Sequence, residues 1–117
     1  MKVTNTILIA ALMVVSGCSN VSQGGYYWGA YSPTYFEMVK NPSPEATEKR
    51  HEALTDIIDT SLEQELRVPP GVYAERGMIR LTQDEELALA DFQAEIDTYP
   101  EAEPFIQRLI SRFANDD

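Results

Sequence analysis

Two residue types that often carry chemistry occur once each in the 117 residues, as Cys18 and His51. A hydrolytic serine needs a base within hydrogen-bond reach, and His51 is the sole imidazole on offer. Ser61 and Ser111 sit inside stretches with helical spacing, and Ser16 falls in a segment expected to be cut away. His51 has Glu48 and Glu52 beside it and Thr55 one turn on. A metal site would want a second His or Cys, or a tight carboxylate cage. His51 therefore reads as a solvated helix residue. Asp84, Glu85 and Glu86 would attract a cation, but acids are favoured at a helix start by the helix dipole. Two-carboxylate hydrolysis needs acids that converge on a cleft, and a small helical domain offers little cleft. No glycine loop is present to cradle phosphate. We expect no catalytic residue, no bound metal, no cofactor or small-molecule substrate, and no enzymatic activity.

The chemistry that remains is that of the Cys18 sulfur. Met1 to Thr6 carries one cation, Lys2, and Ile7 to Val15 (ILIAALMVV) is apolar throughout. That run is too short to span a bilayer, which takes roughly 20 residues, and it has the zones of an export signal. Val15-Ser16-Gly17-Cys18 resembles the bacterial lipobox, in which the residue after the cleavage point is a cysteine whose sulfur receives diacylglycerol. The resemblance implies removal of residues 1–17, lipidation of Cys18, and acylation of its new amino terminus by a chain such as palmitate. Several acyl chains hold a protein stably where one holds it marginally. Ser19, in place of aspartate, implies the outer membrane and its periplasmic face. Residues 18–27 are expected to form the lipidated cysteine and tether, with 19–25 (SNVSQGG) small and polar. No second cysteine is left for a disulfide.

Residues 1–17 hold one of the nine Lys and Arg and none of the nineteen acids, so the remaining 100 residues carry a net charge of −11. Such a surface repels nucleic acid and anionic headgroups. It favours solubility, or a partner with a basic face.

Proline punctuation divides the rest into four or five helices, and no alternating stretch suggests a strand. The expected class is all-α, with the helical domain over 28–114 and an acidic tail over 115–117. Ser32-Pro33 is expected to open a short helix through Lys40. Ser43-Pro44 opens a long one to about Leu66, its apolar stripe formed by Ala46, Ala53, Leu54, Ile57, Ile58, Leu62 and Leu66. Arg67-Val68-Pro69-Pro70-Gly71 ends that helix. Pro70 opens a third, through Leu81, packing through Tyr73, Gly77, Met78 and Leu81. Gly77 inside a helix costs roughly 1 kcal/mol against alanine and implies close approach of a neighbour. Thr82 to Glu85 fits a capping box for a fourth helix to Thr98, burying Leu87, Ala88, Phe92 and Ile96. A last helix over 103–113 puts Phe105, Leu109 and Phe113 on one face with Ile106 and Ile110 beside them.

Residues 70–100 resemble one tetratricopeptide unit. Gly77 stands at its first-helix glycine, Ala88 at the small second-helix position, Phe92 at the aromatic site and Pro100 at the closing proline. The interval from Gly77 to Ala88 is one residue short, and Glu95 replaces a small residue. Residues 31–66 resemble a more degenerate copy, which implies a short array of tetratricopeptide-like hairpins. Trp28-Gly29-Ala30-Tyr31, Lys40-Asn41-Pro42-Ser43-Pro44-Glu45, and Arg67 to Glu75 (RVPPGVYAE) together resemble a family of small bacterial lipoproteins, DUF4810. That likeness runs from Trp28 to about Phe113. Arg76 stands where relatives carry an aromatic, and is expected to loosen packing.

Genes of that family tend to lie beside those for a curli-secretion-channel-like lipoprotein and a second small lipoprotein. The resemblance therefore implies an envelope complex, with other envelope lipoproteins as partners. Two hairpins and one helix also leave an apolar face with no repeat to cover it. Tyr26-Tyr27-Trp28, Tyr31, Tyr35 and Phe36 form an aromatic run suited to an inner lid, an interface anchor or a membrane-surface foot. The expected partner contacts are Trp28, Tyr31, Tyr35, Tyr73 and Phe92. A membrane-anchored protein–protein adaptor is the leading expectation. The alternative is a self-associating structural envelope lipoprotein without a dedicated partner.

Overall fold

A computed structural model describes residues 25–115. The expected lipobox (Val15, Ser16, Gly17), the lipidated Cys18 and the 1–17 signal lie outside those residues. Five α-helices follow in order: α1 (Tyr31–Lys40), α2 (Pro44–Glu63), α3 (Val72–Arg80), α4 (Glu85–Thr98) and α5 (Glu103–Asn115), with a 3-10 turn at Pro100–Ala102. Among the described residues there is no strand. None of the described helices is long and apolar enough to cross a membrane.

The chain packs sequentially: α1 on α2, α2 on α3, α3 on α4, and α5 on the end of α4. Two apolar clusters result. Leu54, Ile57 and Ile58 of α2 meet Val68 and Val72, with Tyr27, Tyr31, Tyr73 and Ile79 around them. Ala74, Ala88, Phe92 and Ile106 form the second, with Leu81, Ile96, Leu109 and Ile110 around it. Tyr27 belongs to the first cluster and donates its hydroxyl to Asp56 at 3.0 Å. Tyr27 is therefore packed together with the helices.

Several helix ends differ from expectation, each for a local reason. Helix α1 starts at Tyr31, with Ala30 as its cap position, because the Thr34 amide makes the first helical bond, to the Ala30 carbonyl at 3.2 Å. Pro33 fits the first turn all the same, where its missing N–H would have no intrahelical partner. Ser43 caps α2 as expected, accepting from the Ala46 amide at 3.0 Å.

That helix ends at Glu63, before the prolines. The Glu65 amide bonds the Leu62 carbonyl and the Leu66 amide bonds that of Ser61, with Glu65 at φ 54°. This is a Schellman motif with glutamate where glycine is usual. Helix α3 starts at Val72, and Pro70 lies outside it, because Gly71 turns the chain with φ 88°. Asp84, and not Thr82, caps α4, accepting from the Leu87 amide at 3.1 Å. The Thr82 hydroxyl turns to the Ile79 carbonyl instead. Asn115 closes the last turn of α5 and donates to the Ser111 carbonyl.

Some expected core residues face outward. Leu62, Met78, Leu87, Phe105 and Phe113 are exposed. Four polar residues, Arg50, Ser61, Asp91 and Glu95, are buried instead.

Candidate functional site

The polar groups buried between helices set the shape of the surface. Arg50 occupies a position on the apolar stripe of α2, between Ala46 and Ala53, and is fully buried. One guanidinium nitrogen donates to the Tyr31 carbonyl at 2.5 Å and the Thr34 hydroxyl at 3.1 Å. The other donates to Glu75. The second oxygen of Glu75 accepts from the Tyr31 hydroxyl, whose pKa is raised by burial and then by this bond. The guanidinium also lies 4.0 Å from the Tyr31 ring centre. One residue thereby joins α1, α2 and α3.

A second knot joins α3 to α4. Arg76 grips Asp91 with two bonds of 2.9 and 2.7 Å, and Arg80 adds a third at 3.0 Å. Two parallel N–H···O bonds fix geometry as well as charge. Arg76 therefore pins the packing that it was expected to loosen. His51 is half-buried and faces the Arg80 Nε at 3.4 Å, so it is less solvated than its neighbours in sequence suggest.

Glu95 explains its own departure from the tetratricopeptide pattern. Helix α3 begins at a glycine that has no side chain to cap it. The Glu95 carboxylate, from α4, accepts from the Gly71 amide at 2.8 Å and the Ala74 amide at 3.4 Å. Burial raises its pKa, and the backbone amides oppose that shift. Nearby, the Tyr99 hydroxyl donates to the Val68 carbonyl at 2.6 Å and Arg67 covers the Tyr99 ring. These bonds hold the Arg67–Gly71 link against the far end of α4.

Above this scaffold, the first helices of the hairpins and α5 line a groove that no other described helix covers. One hollow of about 280 Å³ is formed by Met38, Met78 and Ile79 over the Arg50–Glu75 pair. The next, of about 210 Å³, is formed by Met78, Leu109, Arg112 and Phe113. Met78 is shared by both and is 43% exposed. Charge is segregated by helix. Helices α2 and α4 carry eleven acids and two bases, whereas α1, α3 and α5 carry three acids and five bases. The groove helices are thus spared the acidity of the chain as a whole.

The residues expected to touch a partner separate into three groups. Trp28 and Tyr35 are exposed, at 37% and 49%. Trp28 stands edge-on to Tyr31 at 5.0 Å, and Tyr35 stacks on Tyr31 at 6.4 Å. Tyr31 and Tyr73 are half-buried and packed on the first core cluster. Phe92 is 1% exposed and has no surface to offer, because its ring fills the space beside Gly77. Among the described residues no three His, Cys, Asp or Glu side chains converge as a metal cage.

A family described as a domain of unknown function, DUF4810, matches residues 26–109. The chain belongs to the DUF4810 family. No curated protein and no solved structure matches it. The DUF4810 match starts at Tyr26, in keeping with Tyr27 being part of the packed domain. The three stretches that carry the DUF4810 resemblance each have a structural task here. Tyr31 receives Arg50, Ser43 caps α2, and Val68 to Glu75 forms the link and helix start that Tyr99, Glu95 and Arg50 hold.

Arg50, Asp91, Glu95, Met38 and Met78 are not among the expected site residues. For the three charged ones the sequence holds a signal. Arg50 falls four residues after Ala46 and four before Leu54, and Asp91 and Glu95 share the Ala88–Phe92 face. A charge on an apolar stripe implies a buried partner. For the two methionines it holds none, since a helical apolar position reads as core.

Proposed function

We propose that the chain is a membrane-anchored lipoprotein, lipidated at Cys18, that serves as a protein–protein adaptor in a cell-envelope complex. The observation that carries the adaptor reading is the groove of α1, α3 and α5. Met78 and Phe113 are exposed along it, with Met38 and Leu109 half-buried beside them, an ion pair at its floor and no other described helix covering it. Contiguous apolar surface of this kind marks interaction sites, and methionine repacks readily against a partner. A tetratricopeptide-like array presents the same first-helix face, which supports the reading. Lipid anchoring follows from Val15-Ser16-Gly17-Cys18, and the outer membrane from Ser19. The partners proposed are other envelope lipoproteins, a curli-secretion-channel-like one first among them.

A photo-crosslinking residue placed at position 78 in cells tests this. Adducts with another envelope lipoprotein support the adaptor. Adducts only with a second copy of the chain would replace it by a self-associating structural protein, and the absence of any adduct would remove the groove as a contact surface.

A further inference from the structure

We infer that the outer face of α1 is seated on the membrane surface, as a second point of attachment beside the lipid on Cys18. The inference rests on the anchor proposed above and adds to it a specific surface. Helix α1 buries no residue fully. Its outward side shows Tyr35 at 49%, Phe36 at 63% and Val39 at 61% exposure. At 100° per residue these three fall within about 100° of arc, the width of an amphipathic stripe. Trp28 joins this aromatic surface from the preceding segment, through Tyr31 and Tyr35.

Two features of the chain favour lipid as the occupant. The first is reach. Cys18 and Tyr26 are eight residues apart, a span of at most about 28 Å even when extended. Helix α1 is the first helix after that stretch, and this span keeps it within reach of the bilayer. The second is charge. The single acid of α1, Glu37, lies off the stripe and accepts from the Asn41 side chain. Lys40 borders the stripe, its ammonium 5.6 Å from the Phe36 ring centre. The acids that would repel a headgroup layer are concentrated on α2 and α4. Tryptophan and tyrosine suit the headgroup zone, and a lipid chain holds better with a second signal beside it.

Trp28 is the only tryptophan, so its fluorescence reports this surface alone. The lipidated protein, in vesicles of phosphatidylethanolamine with a minority of phosphatidylglycerol, is probed with lipids brominated near the headgroup. Quenching of Trp28 is expected in the natural protein and should be lost in Phe36→Glu/Val39→Glu. Both substituted residues are exposed, so the thermal transition should stay in place and show that the variant is folded. An unquenched Trp28 in a protein whose Cys18 carries lipid by mass spectrometry overturns the proposal, as does equal quenching in the double variant. Crosslinks from position 36 to a protein in place of lipid would overturn it too. A Cys18 without lipid would sink the anchor reading instead. The unlipidated chain mixed with the same vesicles then decides the face, quenching supporting it and its absence overturning it.

Discussion

The Phe92 ring occupies the place that a side chain on Gly77 would take, with a Cβ there falling 2.7 Å from one ring carbon and 3.2 Å from the Ala88 carbonyl oxygen. Helices α3 and α4 approach this closely because residue 77 has no Cβ. Alanine would gain up to about 1 kcal/mol in helix propensity. The overlap is with a buried ring and a backbone oxygen, neither of which can swing away. Gly77→Ala should therefore lose about 2 kcal/mol net, within the usual range for overpacking. Urea unfolding measures it, and a gain in stability would show that the two helices are not in contact here.

Asp91 is the common acceptor for Arg76 and Arg80, with the three side chains 4%, 11% and 18% exposed. Asp91→Asn leaves two shielded cations without their counter-charge and should cost about 3 kcal/mol, as breaking a buried pair does. Arg76→Met combined with Asp91→Leu should cost much less than the sum of the single changes. A double-mutant cycle by chemical denaturation checks this, and strict additivity would mean that the pair is not coupled.

How far these positions were legible in the sequence depends on what each residue does. The helices, the Ser43 cap and the close approach at Gly77 follow from local rules, which act over a few residues. Arg50, Asp91 and Glu95 satisfy partners 11 to 25 residues away, and no local pattern says which helix will supply them. Phe92 and Met78 show the reverse failure. Both are apolar at helical spacing, yet Phe92 is sealed in and Met78 faces the groove. Phe92 is covered because its ring fills the space beside Gly77, whereas Met78 lies where two hollows meet. The loop before α4 offers two capping side chains, Thr82 and Asp84, and the chain uses the one directly preceding the helix.

Glu95 predicts a pH dependence. Its folded-state pKa is raised above the ordinary 4.5 by burial. Below 4.5 the group is protonated in both states. As pH climbs past 4.5 the unfolded chain ionises first, the folded chain retains more protons, and stability falls until the raised value is passed. Glu95→Gln does not titrate and gives up one acceptor for the α3 amides, a constant loss of about 1 kcal/mol. The difference between the two proteins should therefore move in favour of Glu95→Gln as pH rises above 4.5. Parallel denaturation curves across that range measure it, and a constant difference would contradict the raised pKa.

Glu65 holds the left-handed position that ends α2. A side chain there costs more than glycine does, so Glu65→Gly should stabilise the domain by about 0.5–1 kcal/mol. A rise in the thermal midpoint is the expected result. A fall would mean that the glutamate side chain contributes more than its backbone strain removes.

If the groove of α1, α3 and α5 is the partner surface, a charge placed inside it should break the complex and the same charge outside it should not. Met78 and Leu62 are both exposed apolar residues, at 43% and 60%, but only Met78 lines the groove. Each is replaced by glutamate in the membrane-anchored protein, and co-purifying envelope lipoproteins are quantified by mass spectrometry. Loss of a specific lipoprotein in Met78→Glu, with its retention in Leu62→Glu, is the predicted result. Equal recovery in both variants, each folded, would contradict the claim.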